Sequence, residues 1–318
     1  MGGGVVVARP AAPPPVRVRR NAKNLQIDNP IMDFYAKAIR AMQAKLIADP
    51  TSWRFQAGIH QYNPASDPNA SSTDVLPSAA VQAEFWNRCQ HNTWFFLPWH
   101  RMYLHHFEQM ILGHVRALGG PPDWALPYWD YGASPADAAL PPAFRAASLA
   151  DGSANPLRIA DAERHPNANT GGSFTAPAET SAADALAETL FSATFPATSF
   201  GGGPTGFNHS GGNGRGKLES TPHGSMHVAV SGPGGFMRNF TKAPLDPIFW
   251  SHHCNIDRLW KVWLRQAGRT NPDATVTAWH TGTSFRFHDA SGTPVTMTCS
   301  QVLNTRSASL DYIYEDEP

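Results

Sequence analysis

The chain has 318 residues, enough for one large domain or two ordinary ones, and 42% of them are hydrophobic, which is ample for a buried core. Only 16% are charged, 25 basic against 25 acidic, so no basic stripe argues for nucleic acid and no acidic tail for a solvating segment. No run of about 18 apolar residues is present to span a membrane, and the three cysteines, Cys89, Cys254 and Cys299, build neither a disulfide framework nor a cysteine-based zinc fold.

The N-terminal MGGGVVVARPAAPPP has an apolar patch but no basic n-region, so it makes a poor signal peptide. It reads as a disordered Pro-rich leader over 1–16, with 17–318 as a single domain. The cytoplasm is slightly favoured on that ground, and the compartment is otherwise open. A helix opens at Pro30 behind the capping candidates Asp28 and Asn29. It carries Phe34, Tyr35, Ile39, Met42 and Leu46 at helical spacing, and Asp49-Pro50 stops it. Residues 58–77 are loop-like. A second helix is expected over 81–92, and a third opens at Pro98 and ends at Gly119-Gly120-Pro121. Residues 132–220 are the least regular part, first Ala/Pro-rich and then Gly-rich, and a loop of that length is usually functional or disordered. A fourth helix should hold His223 and His227, a fifth should cover 247–266, and short strands fall at 295–297 and 312–314. The expected architecture is mainly α, a four-helix bundle core with long loops and few strands, in which metal sites come from facing helices.

The 14 histidines are the unusual feature, because several fall in pattern. His223 and His227 stand four apart, one turn from each other on one helix face. Two imidazoles so placed can grip one metal, and His253 on the next helix can supply a third. His252 departs roughly 100° around the helix from His253, so the two cannot face one metal in the same way. Asp257, one turn beyond, suits a supporting role. His91 and His100 flank an aromatic turn and would project from successive helices. His60, in GIHQYN, lies in loop-like text whose spacing says nothing by itself. A single buried histidine is often only a hydrogen-bonded core residue; the H-x-x-x-H pair with a third histidine makes that the weaker reading.

Neutral imidazole suits zinc, copper, iron and nickel. A catalytic zinc needs three ligands, whereas this chain offers six in two sets, and no carboxylate accompanies either set as non-haem iron would want. Two copper ions about 3.5–4 Å apart can each give one electron to O2. Trp94, Phe95, Phe96, Trp99, Phe249, Trp250 and Trp260 would form a dry collar around them, though most are also plain core. Cys89, two residues before His91, is either a buried free thiol or one half of a Cys–His thioether that fixes the ring of His91.

On the motifs FFLPWHR, PHGSMH and DPIFWSHHCNIDRLW, the chain resembles the tyrosinase and polyphenol oxidase family of type 3 copper proteins, over roughly 17–314. The resemblance implies a first copper on His60, His91 and His100 and a second on His223, His227 and His253, with His252 a neighbour. Cys89-Gln90-His91 looks like the C-x-H thioether of fungal members. Tyr312-Ile313-Tyr314 looks like the tyrosine motif against which an N-terminal arginine packs, here Arg17, Arg19 or Arg20. Phe240 matches the aromatic gate over the first copper, and Glu219 the acid that holds a water beside the second. Gly224, where good monophenol hydroxylases often carry Asn, cannot help Glu219 orient that water. Val228 is expected to leave an apolar rim with no charge to attract a carboxylated substrate.

The implied function is oxidation of small phenolic substrates by O2, catechols to ortho-quinones, with weak or absent monophenol hydroxylation. A tyrosinase with full monophenolase activity and an ortho-aminophenol oxidase are the alternatives. A haemocyanin-like oxygen carrier, which shares the six histidines, is disfavoured because the chain stops four residues after its tyrosine motif, leaving no C-terminal shielding domain. A zinc-binding or structural helical protein is disfavoured by the six-ligand set.

Overall fold

The computed structural model describes residues 16–134 and 136–317, so the leader expected over 1–16 lies, apart from Val16, outside the described residues. Helix α1 (Pro30–Gln43) starts where Asn29 accepts the Ile31 N–H at 3.0 Å and Pro30 takes the first turn. It buries Met32, Tyr35, Ile39 and Met42 along one face. Helix α2 (Trp53–His60), capped by Ser52 on the Phe55 N–H, falls in part where a loop was expected, so His60 closes a helix rather than sitting in one. Its eight residues bury Trp53, Phe55, Gln56, Ile59 and His60, and a segment so short and buried on all sides shows no amphipathic period.

Helix α3 (Ala79–Phe85) is shorter than the expected 81–92. The chain leaves it at Trp86 and bends at Asn87 and Asn92, whose φ values are 59° and 54°, a left-handed conformation that asparagine tolerates better than most residues. His91 therefore projects from an irregular bend, not from a helix. Helix α4 (Phe96–Ala117) has Pro98 inside its first turn, where a missing N–H costs nothing. It buries most of its length and packs against both α1 and α8 (Ile248–Leu264).

Between them, residues 132–218 carry only short helices, α5 (Pro177–Thr180) and α6 (Ala183–Ala187) among them. The Gly-rich stretch is nonetheless tightly packed. A Cβ on Gly214 would meet the Asn92 carbonyl oxygen at 2.5 Å, and one on Gly216 would meet the Phe200 oxygen and Gly202 nitrogen at 2.6 Å. Backbone lies directly on backbone there, which only glycine permits. The expected fourth helix is broken: a distorted turn (Glu219–Gly224), with Thr221 extended and Pro222 inside it, precedes α7 (Ser225–Ser231). A short α9 (Thr277–His280) follows α8.

Strand β1 (Arg17–Arg19) pairs in parallel with β4 (Tyr312–Tyr314), Arg19 opposite Tyr314, and β2 (Ser284–His288) forms a hairpin with β3 (Pro294–Thr298). The described residues are thus mainly helical with few strands. Arg19 donates to Glu108 at 2.8 Å and to Tyr314 Oη at 2.9 Å and stacks 3.6 Å from the Tyr312 ring centre. Arg17 also pairs with Glu108, whereas Arg20 is half exposed and only 3.8 Å from Glu315. No described helix is long and apolar enough to cross a membrane.

Candidate metal centre

The six motif histidines converge. Ring centres within the first trio are 5.3 Å apart for His60 and His91, 5.2 Å for His91 and His100, and 6.0 Å for His60 and His100. In the second trio His223 lies 4.6 Å from His227 and 5.0 Å from His253, with His227 and His253 at 5.5 Å. The trios abut: His100 stacks on His253 at 4.5 Å and 7°, and His91 is 6.1 Å from His223.

Backbone carbonyls aim the rings. Nδ1 of His60 donates to the Phe240 oxygen at 2.9 Å, His100 to Phe96 at 2.8 Å, His223 to Glu219 at 2.9 Å, His227 to Met237 at 2.6 Å, and His91 to His209 at 3.3 Å. A proton held on Nδ1 leaves the lone pair on Nε2. Nε2 of His100 and of His223 is buried with no partner, and that of His227 faces His253 Nε2 at 3.4 Å. Burial and then the crowding of neighbouring rings hold His60, His91, His223 and His253 well below the usual histidine pKa, while burial brings His100 to about 3 and His227 to about 4. The set is uncharged near neutrality, with lone pairs free for a cation. Orphaned buried acceptors are costly unless something satisfies them, and no carboxylate is interposed. This all-imidazole donor set fits two borderline metal ions such as copper.

His252 stands closer than expected. The ligand atoms of His223, His227, His252 and His253 all lie within 4.8 Å of one another. Its ring stacks 5.4 Å from His223 and 5.5 Å from Tyr131, and neither nitrogen has a partner. The angular argument fixes where an adjacent side chain departs, not how near its ring can return. Cys89 joins His60 and His91 in a second group of that kind. The Cys89 thiol is buried and free, and its Sγ lies 3.2 Å from Nδ1 of His209. No motif marks His209, which the packed Gly-rich stretch delivers to this place.

The remaining site residues surround a cavity of about 440 Å³ that reaches His60, His91, His223 and His227. Phe240, 39% exposed, lies 5.7 Å from His60 and nearly parallel to it, with its edge toward His91 at 4.9 Å. Gly224 and Val228 line the cavity. Glu219 is buried beneath it, both carboxylate oxygens taking the Asn92 N–H at 2.8 and 3.0 Å. Burial pushes its carboxyl up to about 7 against that hydrogen bond. The apolar rim expected from Val228 is corrected here: Arg215, Arg238 and Glu179 also line the cavity. Val228 is exposed as anticipated, but residues from three other segments fold onto the same mouth, and spacing around His227 carries no trace of them.

Comparison with known proteins agrees with this arrangement. The family model of the common central domain of tyrosinase matches residues 50–266. A tyrosinase from Hahella sp. is 41% identical over 316 residues, covering 94% of this chain and 63% of its own length. A chloroplastic polyphenol oxidase from Malus domestica is 30% identical, covering 96% of this chain and 49% of its own. The chain thus spans between half and two thirds of these relatives. Among solved structures, latent apple tyrosinase superposes with a TM-score of 0.70 at 27% identity, over 96% of this chain and 64% of that one. Grenache (Vitis vinifera) polyphenol oxidase gives 0.64 at 28% identity, over 96% and 86%.

Proposed function

The chain belongs to the tyrosinase family of type 3 copper proteins, and from that premise we propose that it is a copper-dependent oxidase that uses O2 to turn catechols into ortho-quinones. The observation that carries this is the meeting of two histidine trios in which backbone carbonyls hold five of the six rings and His253 stacks on His100. In this reading α2, α4, α7 and α8 are the four core helices. His60, His91 and His100 hold one copper and His223, His227 and His253 the other. The copper pair, when bound, supplies the redox chemistry that couples oxidation of two catechols to reduction of one O2 to water.

The chain's own residues do the rest. Phe96, 4.6 Å from His100 and 4.7 Å from His223, and Phe249, 4.3 Å from His253, keep water from the ring edges. Phe240 offers its exposed ring as the wall against which a phenol stacks. Glu219 is a buried carboxyl four residues before His223, and its raised pKa suits a base at neutral pH. It does not line the cavity, however, so it would need a positioned water to reach a substrate. Gly224 has no side chain to position one. A monophenol, which must lose a proton before hydroxylation, should suffer more than a catechol. Cys89 would form the thioether with His91. The open cavity favours turnover of phenols over oxygen carriage.

A second reading, full monophenol hydroxylation, is favoured by the name of the Hahella relative. Oxygen uptake by copper-loaded protein decides between them. Two coppers per chain with rapid uptake on 4-methylcatechol and little on tyramine is expected. Comparable rates on both would remove the Gly224 argument, and no uptake on either would remove the oxidase reading.

A further inference from the structure

Of the charged side chains lining the mouth, two are already committed. Arg215 donates to Asn92 Oδ1 at 3.0 Å and lies 4.0 Å from Glu219. Glu179 takes the Ala176 N–H at 2.5 Å. Arg238 is exposed and makes no hydrogen bond or ion pair among the described residues. It is also held in place relative to both trios. The preceding residue, Met237, offers its carbonyl to His227, and Phe240, two residues on, offers its carbonyl to His60. Met237 and Phe240 are thereby tied to one histidine of each trio, with an uncommitted guanidinium between them beside the stacking ring.

We propose that Arg238 is a specificity-determining residue, which selects phenolic substrates carrying a carboxylate on the side chain para to the reacting hydroxyls. The inference rests on the oxidase reading and names its substrate class. A guanidinium matches a carboxylate in a two-bond fork, and a catechol stacked on Phe240 would direct its side chain outward along this segment. With a formal net charge of zero, the chain has no overall field to mask a local one. At a wet rim the effect is modest, roughly two- to fivefold in kcat/KM, and it weakens with salt.

The test compares 3-(3,4-dihydroxyphenyl)propanoate, its methyl ester, and 3,4-dihydroxyphenethylamine on copper-loaded wild type, Arg238→Lys, Arg238→Gln and Arg238→Glu. The acid should be preferred by wild type and by Arg238→Lys. The preference should shrink in Arg238→Gln and invert in Arg238→Glu, through KM with kcat held. Anaerobic calorimetry with the acid should show the same ranking without turnover. Unchanged acid-to-ester ratios across the four proteins would overturn the assignment while leaving the oxidase reading intact. Charge-dependent binding with no turnover of any of the three would do the reverse.

Discussion

Asp257→Asn tests whether the buried ion cluster between α4 and α8 holds the two trios in register. Arg101 follows His100 on α4, and Asp257 lies one turn beyond His253 on α8. Arg101 donates to Asp257 Oδ1, so the pair joins the helices beside the stacked His100 and His253 rings. Asp257 also accepts from Tyr312 Oη and Tyr314 Oη, each at 2.6 Å, and lies 3.3 Å from Arg19. Burial pulls its carboxyl up, but Arg101 and Arg19 outweigh that and hold it below its ordinary value. Asparagine keeps the shape and one acceptor but removes the charge. Arg19 retains Glu108, whereas Arg101, 1% exposed, keeps only the Val302 carbonyl and the Trp260 ring. Breaking a buried pair from one side costs about 3–5 kcal/mol. At about 2.1 cal/mol/K per residue over 318 residues, that corresponds to a fall in Tm of about 5–7 °C. Scanning calorimetry of copper-free protein reads it without the metal's own stabilisation. Tyr312→Phe, which removes one hydrogen bond, should cost only about 1 kcal/mol. A Tm for Asp257→Asn within a degree of wild type, or no lower than that of Tyr312→Phe, would refute the reasoning.

Three other outcomes follow from the structure. Burial lowers His105 and His288 to about 4 and His106 to about 3, and none of the three belongs to the trios. Their unfolded pKa is about 6.5, so the unfolded chain binds more protons below that. The stability they contribute is complete above pH 6.5 and is lost as pH falls toward 4 and 3, by several kcal/mol in all. Glu219, raised to about 7 by burial, works the other way between about 4.5 and 7, one group against three. Urea midpoints should fall steadily from pH 7 to 4 with or without copper, and a flat profile would contradict this. A Cβ at Gly224 would meet nothing nearer than the Glu219 oxygen at 3.4 Å, so Gly224→Asn should fold and raise tyramine turnover several-fold relative to 4-methylcatechol. An unchanged ratio would remove Gly224 from the account. In copper-loaded protein the Cys89–His91 peptide should be about 2 Da lighter than its sequence mass, having lost two hydrogens, and should resist alkylation. A freely alkylated Cys89 would exclude the thioether.

What the sequence made legible follows from which constraints are local. The i, i+4 spacing of His223 and His227, and the long apolar helix around His253, are set within a few turns, and periodicity reads them directly. The composition of 81–92 permits a helix throughout, whereas the helix stops at Phe85. The departure at Trp86 depends on Asn87 and Asn92 bending to meet partners far along the chain: the Asn87 N–H goes to the Gly58 carbonyl, and the Asn92 N–H to Glu219. His60 looked like loop for the converse reason, since a short helix buried all round carries no polar face to give it away. The charges at the mouth were invisible for a stronger reason. Arg215 and Arg238 stand on either side of His223, in the distorted turn, and His227, in α7, yet both line the same cavity. Ligands to a metal must obey its geometry, and so they leave motifs. Residues that greet a substrate need only reach the same opening, and any segment that folds there can supply them. Spacing therefore reaches His223, His227 and His253, while His60 and the charged residues of the mouth come into view only in the fold.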